Sequence, residues 1–321
     1  MPELSINANG TVTQAPADLT ESRPTTVKKT GKGPDPFHNR RGARIFSSVT
    51  RWLVRLAALL TAAVLVFIVG YILVRGIPNL KPSLFAWEYN SENVSLMPAL
   101  INTVLMTLLS LLVATPLGVF AAIYLVEYAP RGSKLVKVVR VTAETLQGIP
   151  SIVYGLFGML FFVGTLHFGM SLLAGALTMS IMILPLIMRT TEEALLSVPD
   201  SYREGSFGLG AGKLRTVFSI VLPPAMPGIL SGIILGTGRI VGETAALIYT
   251  AGSATKIASG ADFLFDSTRT LAVHMYVLSS EGLHVGEAFG TAVVLLVLVL
   301  GINALSSFIA GKLTKGNQND E

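Results

Sequence analysis

Six stretches of this chain, near residues 52–74, 99–122, 146–166, 171–188, 221–247 and 285–310, are mostly apolar. A helix of about 18 or more such residues crosses a hydrocarbon core of roughly 30 Å, so each is a candidate membrane span. The fourth is the shortest, but Met170 to Met188 contains no charge at all. Backbone groups in lipid must be satisfied within the segment, and a membrane barrel would instead show weaker alternation over about ten residues. With 51% hydrophobic and 13% charged residues over 321 positions, an ordinary soluble domain is excluded. The expected fold is an all-α polytopic membrane protein with six transmembrane helices, five or seven being the alternatives.

The net charge of +5 is explained by where the cations lie rather than by nucleic acid. Nine Lys or Arg precede or open the first span. Others cluster at Arg131, Lys134, Lys137 and Arg140, at Arg189, Arg203, Lys213 and Arg215, and at Lys312 and Lys315. Only Arg75, Lys81, Lys256 and Arg269 fall on the opposite side, and Arg239 lies inside a span. Cytoplasmic loops carry the excess of positive charge, which puts both termini in the cytoplasm. The absence of Cys removes disulfides and thiolate metal sites. His167, His274 and His284 have no metal-ligand spacing and read as interfacial side chains.

Four regions follow. Residues 1–45 are rich in Thr, Pro, Gly, Asn and Lys and read as a disordered cytoplasmic tail, with Arg40, Arg41 and Arg44 as topological anchors. Residues 46–98 hold the first span, read as an uncleaved anchor, and an external loop. Residues 99–311 form the core membrane domain, and 312–321 a cytoplasmic C-terminal tail. No internal repeat is evident, which disfavours transporters built from inverted repeats in one chain and suits half of a pore.

Residues 202–228, YREGSFGLGAGKLRTVFSIVLPPAMPG, lie between the fourth and fifth spans. Ser201 and Glu204 have capping-box spacing for a short helix, and Gly210 suits the sharp turn that would end it. GLGAGKL at 208–214 imitates a phosphate-binding loop, but Phe207 and Leu214 stand where Gly and Ser or Thr are needed. The segment at 199–223 resembles the coupling loop of ABC importer permeases, whose pattern is Glu-Ala-Ala, three residues, Gly, nine residues, Ile-x-Leu-Pro. Glu204, Gly210, Ile220, Leu222 and Pro223 match it, with Gly205 and Ser206 replacing the two alanines.

Further stretches narrow the resemblance: PLGVFAAIYLVEYAP at 116–130, IPSIVYGLFG at 149–158, IMRTTEEAL at 187–195 and GRIVGETAALIYTAG at 238–252. Together they are similar to the phosphate ABC importer permease family, PstA-type, over roughly residues 99–310. The resemblance implies a MetI-like fold and a PstC-type permease partner. It also implies two copies of a PstB-type ATPase holding ATP and Mg, and a PstS-type binding protein that delivers inorganic phosphate. No cofactor is expected in this chain, which is not itself an enzyme, and its place is a bacterial inner membrane. A permease for molybdate, sulfate or phosphonate is the nearer alternative, and a secondary transporter the more distant one.

On an unbroken fifth-span helix, Gly228, Gly232, Gly236, Arg239 and Glu243 share one arc of about 80°. Glycines four apart make a close-packing face in membranes, so both charges are expected to face protein or an aqueous path. A guanidinium offers a planar fork to a tetrahedral oxyanion, and Glu243 is a candidate to neutralise Arg239 when the path is empty. A structural ion pair is the competing reading. The resemblance implicates Arg239 and Glu243 in phosphate passage and places Thr244 on the path. Arg189 is either a topological anchor or, by the same match, a transport residue. Glu192 and Glu193 read as solvated.

Overall fold

A computed structural model describes residues 40–130 and 132–316. The tail expected over 1–45 lies outside the described residues except for its last six, which open a helix, and so does the chain beyond 316. Helix α1 (Arg40–Gly76) begins in an N-terminal unit, residues 1–62, and ends in the core unit, residues 63–321. In the N-terminal unit, apolar side chains from Phe46 to Leu60 stand exposed.

No strand occurs among the described residues. In the core unit, α2 (Met97–Ile123) continues as a wider π-turn to Tyr128. After it come α3 (Lys134–Gln147), α4 (Ser151–Gly158, with a π-turn to Thr165), α5 (Leu172–Leu196) and the short α6 (Asp200–Gly208). Next, α7 (Lys213–Arg215) passes through a π-turn into α8 (Leu222–Val241), followed by α9 (Ala245–Thr250), α10 (Leu271–Glu281) and α11 (Val285–Gly316). Among the described residues five helices are long and apolar enough to cross a membrane, and α3 with α4 makes a sixth crossing if the bent pair counts as one.

That pair corrects the expected straight span at 146–166. α3 and α4 meet at 103° because Gly148-Ile149-Pro150 interrupts the helix. Pro150 has no N–H to continue the ladder, and it biases Ile149 out of the α region. Tyr154 bridges the bend by donating its hydroxyl hydrogen to the Leu146 carbonyl at 2.8 Å.

The core forms where α2 and α5 pack. Thr103, Thr107 and Ser110 each turn a hydroxyl back to the carbonyl four residues earlier at 2.7 Å, leaving an apolar outer surface. Ser180 of α5 reaches across to the Ser110 carbonyl at 3.0 Å. The buried cluster of Met106, Met179, Met182, Ile183, Ile187 and Leu247 fills the space beside this seam.

The glycine stripe of α8 lies against α5. A Cβ at Gly228 would stand 2.6 Å from the Ala194 Cβ, and one at Gly232 would collide with Thr190. Gly236 faces Ile187 and Ile183. The close approach brings backbone to backbone, where dispersion holds helices together without a hydrophobic driving force. Below the stripe, Pro223, Pro224 and Pro227 withhold N–H groups from carbonyls four residues back, and Thr216–Val221 winds as a wider turn.

At the end away from α6, Arg269 and His274 are both buried. The Arg269 guanidinium lies 4.6 Å from the centre of the Tyr89 ring, and Tyr89 meets His274 edge-on. Burial, then the Arg269 charge, pushes the His274 imidazole down to about 3, against a smaller opposing effect of the Val94 backbone.

Two outcomes are expected. Gly232→Val should lower the melting temperature of the purified protein and its yield in membranes. Gly238→Ala, where a Cβ meets nothing within 4 Å, should leave both unchanged. His274 is neutral when folded but takes a proton at about pH 6.5 when unfolded, so its contribution is complete above that pH and declines as pH falls toward 3. Melting temperature should therefore drop between about pH 7 and about pH 5, and His274→Phe should flatten that drop.

Candidate functional site

The expected unbroken fifth span does not exist as one helix. α8 ends at Val241, Gly242 caps it, and α9 starts afresh at Ala245. Glu243 therefore leaves the arc shared by the glycines and Arg239, and the two charges make no ion pair among the described residues. Instead a Glu243 carboxylate oxygen accepts a hydrogen bond from the Ala246 N–H at 3.1 Å, capping α9. Thr244 is the backbone N-cap of that helix, with no hydrogen bond from its side chain to the helix start.

Arg239 occupies the last turn of α8, where the carbonyl end of the helix favours a cation. It is half-buried and has neither a carboxylate nor a hydrogen-bond partner among the described residues. Its charge reaches Tyr154 on α4. α4 presses on α9 closely enough that a Cβ on Gly155 would stand 2.7 Å from the Ala246 Cα. An always-charged fork thus stands beside a helix break, free to meet an anion.

The other groups lie at the α6 end. α6 has no buried residue, and Tyr202, Phe207 and the 92%-exposed Leu209 protrude from it and its turn. Glu204 and Gly205 are exposed, and Ser206 is half-buried. Gly210 adopts φ +81° and ends the knob, as its sequence position suggested. The capping box fails: α6 starts at Asp200 with Pro199 as N-cap, so Ser201 is already inside the helix. Ile220 lies in the last turn of the π-helical stretch, while Leu222 and Pro223 open α8.

Sequence reasoning missed what anchors this knob. Arg203 places Nη2 2.7 Å and Nε 3.1 Å from the Glu127 carboxylate at the end of α2. It also donates to the carbonyls of Val198 at 2.8 Å and Leu195 at 2.9 Å. Both side chains are largely buried, at 14% and 8% exposure. The signal was Glu127 itself, an acid in the otherwise apolar run IYLVEY. Ser206 and Thr216 share a hydroxyl contact at 2.8 Å, which joins the knob to the foot of α8.

Arg189 pairs with Glu193 at 2.7 Å and Glu144 at 3.3 Å. Glu192 is not solvated as expected: it is 2% exposed and ion-paired with Arg140. These contacts tie α3 to α5. Beside them a groove of about 1090 Å³ runs between α3, the end of α2 and α6, lined by Glu127, Lys137, Glu144, Arg203 and Lys213. The structure does not bring Arg239 and Arg189 together, and it puts Glu243 and Thr244 at the helix break near Arg239.

The described residues thus form a bundle of long apolar helices with a clamped, exposed knob at one end. Residues 114–317 match the family described as binding-protein-dependent transport system inner membrane component. The probable ABC transporter permease protein YqgI of Bacillus subtilis is 32% identical over 275 residues, covering 81% of this chain and 93% of YqgI. Phosphate transport system permease protein PstA 1 of Mycobacterium tuberculosis is 37% identical over 213 residues, 66% of this chain and 69% of that protein.

Among solved structures, a bacterial ABC transporter involved in alginate import aligns with TM-score 0.60 at 15% identity, covering 84% of this chain and 99% of that one. The inward-facing MetNI methionine transporter gives 0.51 at 19%, over 76% and 97%. The likeness establishes the ABC importer permease fold. This chain belongs to the family of inner-membrane components of binding-protein-dependent transport systems. Such a component is not an enzyme; ATP hydrolysis belongs to a separate subunit.

Removing one partner of a buried ion pair typically costs about 3–5 kcal/mol. Arg203→Met or Glu127→Leu should therefore loosen α6 and lower transport sharply while the protein still inserts. The double replacement should recover much of the lost stability in a melting assay, because no unpaired charge remains.

Proposed function

We propose that this chain is the permease half of an ATP-driven phosphate importer, with its α6 end and both termini in the cytoplasm. It pairs with a related PstC-type permease, two PstB-type ATPases dock on the knobs, and a PstS-type protein delivers phosphate from outside. ATP and Mg act on the ATPases. The observation that carries the reading is Arg239, an intramembrane guanidinium with no partner among the described residues, set beside a helix break and coupled through one bundle to an exposed knob. The sequence relationship to PstA proteins supports phosphate as the anion.

The geometry suggests how work reaches the pathway. ATPase closure displaces α6, and the Arg203–Glu127 clamp carries the displacement into α2. The Ser206–Thr216 contact carries it into the foot of α8, whose other end holds Arg239. Packed helices shift as rigid bodies, so a movement at the knob re-aims the break at Gly242. An ion relay between Arg239 and Glu243 is disfavoured because Glu243 is engaged with α9.

Reconstituting both permeases with the ATPase and loaded binding protein tests this reading. ATP hydrolysis should rise with phosphate and respond weakly to molybdate or sulfate. Glu204→Ala on the exposed knob should reduce that stimulation. A complex stimulated equally by sulfate would point to a different oxyanion.

A further inference from the structure

Arg239 is not the only guanidinium without a counter-charge. Arg269, at the end away from α6, is 4% exposed and has no carboxylate within ion-pair distance among the described residues. Its Nε and Nη2 are sealed from solvent with no hydrogen-bond partner, while Nη1 is not sealed in that way. The Thr268 hydroxyl is also buried and unpartnered.

The surroundings make the charge costlier still. Arg269 directly precedes Thr270, the N-cap of the 11-residue α10, so the positive end of that helix adds to the guanidinium. Burying an ion is costly, and the Tyr89 ring face offsets only part of that cost. Among the described residues no carboxylate pairs with Arg269 to offset the remainder. A built cluster of donors with an unmet positive charge calls for an anion.

The location specifies which kind. The Thr268 N–H donates to the Ala251 carbonyl at 3.0 Å, and the Leu271 N–H to the Thr103 hydroxyl at 2.8 Å, fastening this loop to the end of α9 and to α2. α9 starts at the break that holds Arg239, and its six residues span about 9 Å. The two unpaired arginines therefore flank one short helix. Val94, in the loop that carries Tyr89, is held at φ +45°, a strained conformation for a β-branched residue.

We propose that Arg269 and Thr268, beside the positive end of α10, form an outer oxyanion subsite that takes phosphate before it reaches Arg239. The inference rests on the phosphate-importer reading. The guanidinium and hydroxyl donate to phosphate oxygens, and movement of the Tyr89 loop admits the anion. A carboxylate of the docked binding protein is the rival source of the same chemistry.

The test uses the assembled importer in proteoliposomes, with wild type, Arg269→Gln, Arg269→Lys and Thr268→Val. Phosphate uptake per ATP hydrolysed, binding-protein docking affinity and melting temperature are measured for each. Arg269→Gln should lose about tenfold in uptake per ATP and Thr268→Val a few-fold, while Arg269→Lys keeps most of it. Docking affinity should not change. Normal uptake by Arg269→Gln beside an active wild type would overturn the subsite alone. Weakened docking would assign Arg269 to a carboxylate of the binding protein and overturn it too. If Arg269→Gln fails to fold, wild-type behaviour of Thr268→Val does the same. Absence of uptake by the assembled wild type would overturn the phosphate reading and the subsite with it.

Discussion

Ending a helix inside a membrane leaves carbonyls and N–H groups that lipid cannot satisfy, and the break at Gly242 to Thr244 is the constraint on which the rest of the site depends. Irregular backbone survives at that depth only where it is enclosed by protein or lines an aqueous cavity. The chain meets the requirement locally. Gly242 N–H bonds back to Gly238, Glu243 N–H to Ile240, and the Glu243 carboxylate takes the Ala246 N–H. With Glu243 so occupied, Arg239 has no partner among the described residues. Its fixed charge is stabilised by the end of α8 and remains available to a mobile anion.

In the proposed mechanism, the same bundle is what links a remote motor to that charge. Small residues bring α8 onto α5, and hydroxyl contacts bring α5 onto α2. The buried Arg203–Glu127 pair fastens the exposed knob to α2. Each joint is a close contact rather than a flexible tether, so displacement at α6 has few ways to dissipate. Ion pairs of Arg189 and Arg140 add a second fastening between α3 and α5.

Much of this was legible in the sequence, because hydrophobic length announces a span and glycines at every fourth position announce a packing face. The stripe of Gly228, Gly232 and Gly236 indeed faces a neighbouring helix. Gly210 took the turn expected of it. What failed was continuity. Hydropathy does not register that Gly148-Ile149-Pro150 bends a run by 103°, or that Gly242 ends a helix in mid-run. Partners were equally hidden: Arg203, Arg140 and Glu192 looked like topological or solvated charges until the fold paired them. Arg269, counted as an external cation, gave no sign of being buried.

The proposed pathway depends on Arg239 acting as a free charge that phosphate meets. The direct measurement is phosphate uptake by cells carrying Arg239→Gln or Arg239→Lys, at matched membrane levels of the assembled importer. Loss of a guanidinium donor to a charged ligand costs about 1.5–3 kcal/mol, so uptake by Arg239→Gln should fall by tenfold or more, with Arg239→Lys in between. Uptake by Arg239→Gln equal to wild type would contradict it.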